Sequence, residues 1–190
     1  MLNNVNFLCE IGTEEIPAGY MPAAIETAGK TFKQRLTENR IGFDDVLVLA
    51  TPRRIAITAS NLAENQRAEK TEIKGPSASA AYTPDGKPSQ PLLGFLKSNG
   101  LSEKDIFKKD TGKGEYIFAQ KTLESRKTTE IIPGIIKDII GSTPFPKRMR
   151  WSSKNIDFPR PISYFALIFN GKVVPFELDG IPVSNLVRGH

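Results

Sequence analysis

Pro146-Lys147-Arg148-Met149-Arg150-Trp151 places three cations and one indole within a short, proline-flanked run. Cations of this kind hold backbone phosphate, and a neighbouring aromatic ring can stack on an unpaired base. The same residues also suit a plainer role, with Trp151 anchoring the core and the cations solvated. Thr51-Pro52-Arg53-Arg54 is a second such segment. Paired arginines at a strand entry can grip phosphate bidentately, or can keep an exposed edge from pairing with other chains. Arg160, in Phe158-Pro159-Arg160-Pro161, and Arg188, before Gly189 and His190, extend the basic theme. The candidate RNA contacts are Arg53, Arg54, Lys147, Arg148, Arg150, Trp151, Arg160 and Arg188.

Glu14 and Glu15 could do acid–base work if one were buried beside the other. In the competing reading they belong to a helix N-terminal region whose free N–H groups are satisfied by negative charge and by Thr13. No nucleophile with a base accompanies them, and Ser, His and Asp are not spaced for nucleophilic catalysis. Gly112 and Gly114 fall in a hairpin turn rather than at a strand-to-helix step, so they make no nucleotide loop. No catalytic residue is assigned.

The elements that must position these residues follow from pattern. Val5 to Ile11 alternates as a buried strand, and Asp45 to Ala50 and Arg54 to Ser60 read as two more. Between them, Met21, Ala24, Ile25, Ala28, Phe32 and Leu36 fall on one face of a helix from about Pro22 to Arg40, ended by Gly42. Glu64 to Glu72 reads as a connection or exposed edge. Lys74-Gly75-Pro76-Ser77 and Thr83 to Pro88 read as turns. Ser89 to Asn99 predicts a short helix capped by Ser89 and stopped by Gly100. Ile106 to Lys109 and Glu115 to Thr122 predict a hairpin. Thr129 to Ile140 predicts a helix with an isoleucine face, ended by Gly141. Ile162 to Phe169 and Lys172 to Leu178 predict a hairpin across Asn170-Gly171. The fold class is α+β, built of two small antiparallel sheet-plus-helix units over residues 1–65 and 66–190, either separate or sharing a sheet.

Composition bounds the rest. The chain has 190 residues, with 26 basic and 21 acidic side chains, a net charge of +5 and a pI near 9.3. This mild basic bias is compatible with RNA binding. One cysteine and one histidine exclude an internal disulfide and a multi-thiolate or histidine-rich metal site. A reducing, cytoplasmic setting is expected, with no membrane partner.

Six segments together resemble one known family. Phe7 to Pro17, reading FLCEIGTEEIP, resembles the opening of the bacterial glycyl-tRNA synthetase β subunit. Thr51-Pro52-Arg53-Arg54, Lys74-Gly75-Pro76, Asp85-Gly86-Lys87-Pro88, Met149-Arg150-Trp151 with Phe158-Pro159-Arg160-Pro161, and Val187-Arg188-Gly189-His190 resemble later segments of that family, in the same order. The resemblance implies the N-terminal part of a longer β subunit of an α2β2 glycine–tRNA ligase. It implies glycine tRNA, the α subunit and the remainder of the β subunit as partners. ATP and Mg2+ are expected at the α subunit, where the aminoacylation site lies, so no cofactor is expected in this portion. Its expected contribution is tRNA binding on the acceptor side and subunit assembly. The alternative is an interaction module without RNA contact.

Overall fold

The computed structural model describes residues 4–112, 114–151 and 155–187. In chain order the elements begin with β1 (Val5–Thr13), α1 (Met21–Glu38), β2 (Asp45–Thr51) and β3 (Arg54–Ser60). Then come β4 (Glu69–Ser77), α2 (Ala78–Ala81), α3 (Gln90–Asn99), β5 (Ile106–Asp110) and β6 (Glu115–Leu123). The last are α4 (Thr128–Ser142), β7 (Met149–Arg150), β8 (Asp157–Phe158), β9 (Ile162–Phe169), β10 (Lys172–Val173), β11 (Glu177–Leu178) and β12 (Ile181–Ser184). The class is α+β, as expected.

Two compact units form, residues 1–67 with 125–190, and residues 68–124. The sequence reading drew one boundary near residue 65 and ran the second unit to 190. The chain instead crosses out after Arg67 and back at Ser125, so the smaller unit is an insertion in the larger. The units carry separate sheets.

The larger unit holds a seven-stranded sheet in the order β11-β12-β9-β1-β3-β2, with β10 also on β9. β1 is central because it pairs antiparallel with both β3 and β9. The sheet is mixed rather than purely antiparallel, since β12 runs parallel to β9. Odd positions of β1 (Phe7, Cys9, Ile11) line up with Ile57 and Ile55 of β3 and with Phe169, Leu167 and Phe165 of β9, and all are buried. Period-two alternation thus gives the sheet one apolar face. Met21, Ala24, Ala28, Phe32 and Leu36 of α1 and the isoleucines of α4 share that core. Phe7 stacks on Phe32 with ring centroids 5.2 Å apart.

Two helix ends differ from expectation. Arg40, not Gly42, takes the left-handed conformation after α1 (φ 55°), while Ile41 N–H reaches Leu36 O and Arg40 N–H reaches Thr37 O. That bonding satisfies the last carbonyls of the helix before Gly42 is reached. α4 passes Gly141 and ends at Ser142, where the backbone N–H and Oγ1 of Thr143 both bond Ile139 O.

The smaller unit is the sheet β4-β6-β5 with α2 and α3. Lys74-Gly75-Pro76-Ser77, expected as a turn, belongs to β4. Its pairing with β6 outweighs the local turn preference, and the glycine and proline sit where the register shifts between Lys74 and Ser77. Thr83 to Lys87 turns as expected, Ser89 caps α3, and Gly100 ends it at φ 64°. Leu92 and Leu96 of α3 pack with Ala81 and Ile117.

The hairpin across Asn170-Gly171 forms, with both residues at positive φ. Its second arm is only β10, two residues long, rather than reaching Leu178. Pro175 follows Val174, whose N–H makes a last bond to Leu167 O. Proline cannot donate to a ladder, so the strand stops there.

Candidate nucleic-acid interface

The segments singled out for chemistry meet at one end of the large sheet. Thr13 N–H bonds Arg53 O at 2.9 Å, Glu14 N–H bonds Pro161 O at 3.0 Å, and Ile16 N–H bonds Pro52 O at 2.7 Å. The β1 exit, the β2–β3 turn and the β8–β9 connection are therefore laced together by backbone. Met149 pairs with Phe158 and Arg150 with Asp157, which ties the 146–151 segment to the same corner. Trp151 Nε1–H donates to Phe158 O at 2.9 Å.

Each cation then takes its own place. Arg53 is exposed, with Nη2 3.5 Å from Glu15 Oε2. Arg160 is exposed, and its Nε–H donates to Glu15 O at 2.9 Å. Lys147 and Arg150 are exposed on the β7 side. The Arg53–Glu15 ion pair is exposed and hence weak and screened, so Arg53 can exchange it for phosphate at small cost. Arg188 and His190 lie outside the described residues.

Arg54 and Arg148 are used differently. Arg54 is half-buried, with Nη1 3.6 Å from Glu10 Oε1. Tyr164 Oη donates to that same carboxylate oxygen at 2.5 Å. Glu10 is buried on the sheet face opposite the helices, so this cover satisfies a carboxylate that is shielded from water. Arg148 caps α4. Its Nη1 donates to Thr143 O (2.7 Å) and Gly141 O (3.1 Å), and its Nη2 to Ile140 O (3.1 Å) and Asp157 O (2.6 Å). A guanidinium on the last carbonyls of a helix fills their free acceptors and meets the negative end of the dipole. Sequence reasoning grouped Arg148 with its neighbours because spacing alone does not show a side chain folding back by five to eight residues.

Glu14 and Glu15 are both exposed. Neither is buried beside the other, which is the arrangement acid–base work would need. Thr13 does not serve free N–H groups either, for its Oγ1 is buried without a hydrogen-bond partner. Among the described residues no group of three or more His, Cys, Asp or Glu side chains could hold a metal ion, and no helix is long and apolar enough to cross a membrane.

The α+β scaffold thus gathers exposed arginines and a lysine on a corner locked by backbone hydrogen bonds. A profile of the family described as glycyl-tRNA synthetase beta subunit matches residues 7–190, and the chain belongs to that family. It is 41% identical over 181 residues to the glycine–tRNA ligase beta subunit of Syntrophotalea carbinolica, covering 95% of this chain and 26% of that protein. It is 40% identical over 183 residues to that of Clostridioides difficile, covering 96% of this chain and 27% of that protein. It is 39% identical over 185 residues to that of Moorella thermoacetica, covering 97% and 27%. The chain thus spans about a quarter of the length of these curated relatives.

Proposed function

We propose that this region serves a glycine–tRNA ligase by contacting the phosphate backbone of glycine tRNA on its acceptor side, without taking part in the aminoacylation chemistry. The observation that carries the reading is the corner at which Arg53 and Arg160 both lean on Glu15, with Arg150 exposed on the strand pair that closes it and Lys147 exposed just before that pair. Arg54, Arg148 and Trp151 act there as positioning residues that hold the loops. Phosphate contacts of this kind set affinity and register, so discrimination of the tRNA falls to other parts of the enzyme. In this reading ATP and Mg2+ belong to the α subunit, as the family resemblance implies.

The test is a quadruple variant, Arg53→Ala, Lys147→Ala, Arg150→Ala and Arg160→Ala, assayed for binding to labelled glycine tRNA. Affinity should fall at least tenfold, about 1.4 kcal/mol, with far-UV circular dichroism unchanged. Undiminished affinity would remove the corner from tRNA contact.

A second reading, a surface for subunit or domain contact without RNA, is favoured by the sheet face opposite the helices. Leu49 there is 58% exposed and Val173 is 40% exposed. Co-purification with the α subunit that survives nuclease treatment, together with no tRNA binding, would support it.

A further inference from the structure

The smaller unit carries its own surface, on β-strands rather than loops. Register puts Phe107 opposite Phe118, Lys109 opposite Tyr116 and Lys74 opposite Phe118. These side chains share one face of the β4-β6-β5 sheet. The other face, through Ile117, receives Leu92 and Leu96 of α3 and Ala81 of α2. A sheet covered on one side normally turns polar residues outward. Here three aromatic rings point away from the helices, and Phe107 is 37% exposed. Phe107 and Phe118 lie near-parallel, at 27° with centroids 6.2 Å apart. Lysines flank them. Lys74 Nζ sits 3.4 Å from the Tyr116 ring centroid, and Lys109 Nζ sits 5.5 Å from that of Phe118. Lys70 extends the row along β4, and Glu72 on the same face pairs with Lys109 at 2.5 Å.

We propose that this face binds a single-stranded nucleic-acid segment, with bases stacking outward from Phe107 and phosphates running along Lys70, Lys74 and Lys109. Charge complementarity selects the occupant. An aromatic face with a lysine border offers stacking to any base and attraction to its phosphates, without base-edge readout. Ammonium groups held against rings by cation–π contact place positive charge beside the stacking plane. The surface is separate from the arginine corner and stands or falls without it.

The experiment is photocrosslinking of the 190-residue chain to a single-stranded oligouridylate of about ten nucleotides bearing 4-thiouridine. Crosslinks should map to peptides containing Ile106–Asp110 and Glu115–Leu123. They should persist in an Arg53→Ala/Arg160→Ala variant, and any crosslinks at 146–161 should fade there. Phe107→Leu keeps apolar area but loses the π face, and it should weaken crosslinking at this sheet about fivefold or more. Phe107→Thr, which preserves strand preference, should do the same. Absence of crosslinks from these strands, or full retention in both folded Phe107 variants, would overturn the proposal. Displacement of the oligonucleotide by polyglutamate as readily as by unlabelled oligouridylate would also overturn it, in favour of an acidic protein segment.

Discussion

The Tyr164 ring crosses directly over Gly12, and a Cβ built on Gly12 would lie 2.0 Å from Cε1 of that ring. The two residues are register partners on β1 and β9, and the crossing lets Tyr164 Oη reach Glu10. A glycine inside a strand marks a place where something approaches the backbone closely. Gly12→Ala should therefore destabilise the fold by about 1–3 kcal/mol, because the ring must swing off and lose Glu10. Urea unfolding checks the size. Coupling with Tyr164→Ala checks the cause, since the double variant should lose less than the sum of the two singles. Strict additivity would contradict the contact.

Arg148 holds the end of α4 through three carbonyl oxygens, of Ile140, Gly141 and Thr143, and reaches Asp157 O on β8 as a fourth. Arg148→Ala leaves those acceptors unfilled and should cost about 2–4 kcal/mol in chemical denaturation. Arg148→Lys should recover only part, since an ammonium cannot fork between Nη1-type and Nη2-type partners. Lys147→Ala, one residue away and exposed, should stay within about 0.5 kcal/mol. Equal losses at the two positions would contradict the distinction.

Burial, with the neighbouring Glu10 charge second, pushes the Cys9 thiol up from 9.0 to about 12. The folded state holds this proton more tightly than the unfolded one. Its contribution to stability is full below about pH 9 and is lost as pH rises from there to about 12. The native chain should resist thiol reagents at about pH 8 and react on unfolding. Part of its alkaline loss of stability should be missing in Cys9→Ala. Fast labelling of the folded chain would contradict the buried placement.

Strands β1 and β3 were legible because Phe7, Cys9 and Ile11, and later Ile55 and Ile57, alternate cleanly, and α1 and α4 because they carry continuous apolar stripes; the pairing of β1 with β9 across the expected unit boundary was left open. β4 was not legible. Lys74-Gly75-Pro76 reads locally as a turn, and only pairing with β6 makes it a strand. The return of the chain at Ser125 was hidden for a similar reason. Ser125 Oγ–H bonds Gln66 O, a contact across 59 positions that no local pattern announces. At the corner, residue types named the segments, but which arginine faces solvent and which faces inward depends on long-range partners. Arg54 meets Glu10, whereas Arg53 next to it points outward.

The aromatic face of the smaller unit was hidden in the same way. Phe107 and Phe118 sit in a predicted hairpin, yet their shared side shows only once register is fixed and α2 and α3 have taken the opposite side.

The most direct test of the central claim is fluorescence anisotropy of labelled glycine tRNA titrated with the chain at about 50 mM and about 200 mM salt. Four phosphate contacts, from Arg53, Lys147, Arg150 and Arg160, predict an affinity loss of about 50–150-fold across that range. No binding at the lower salt, or binding indifferent to salt, would contradict a phosphate-contacting corner and assign those cations to protein partners.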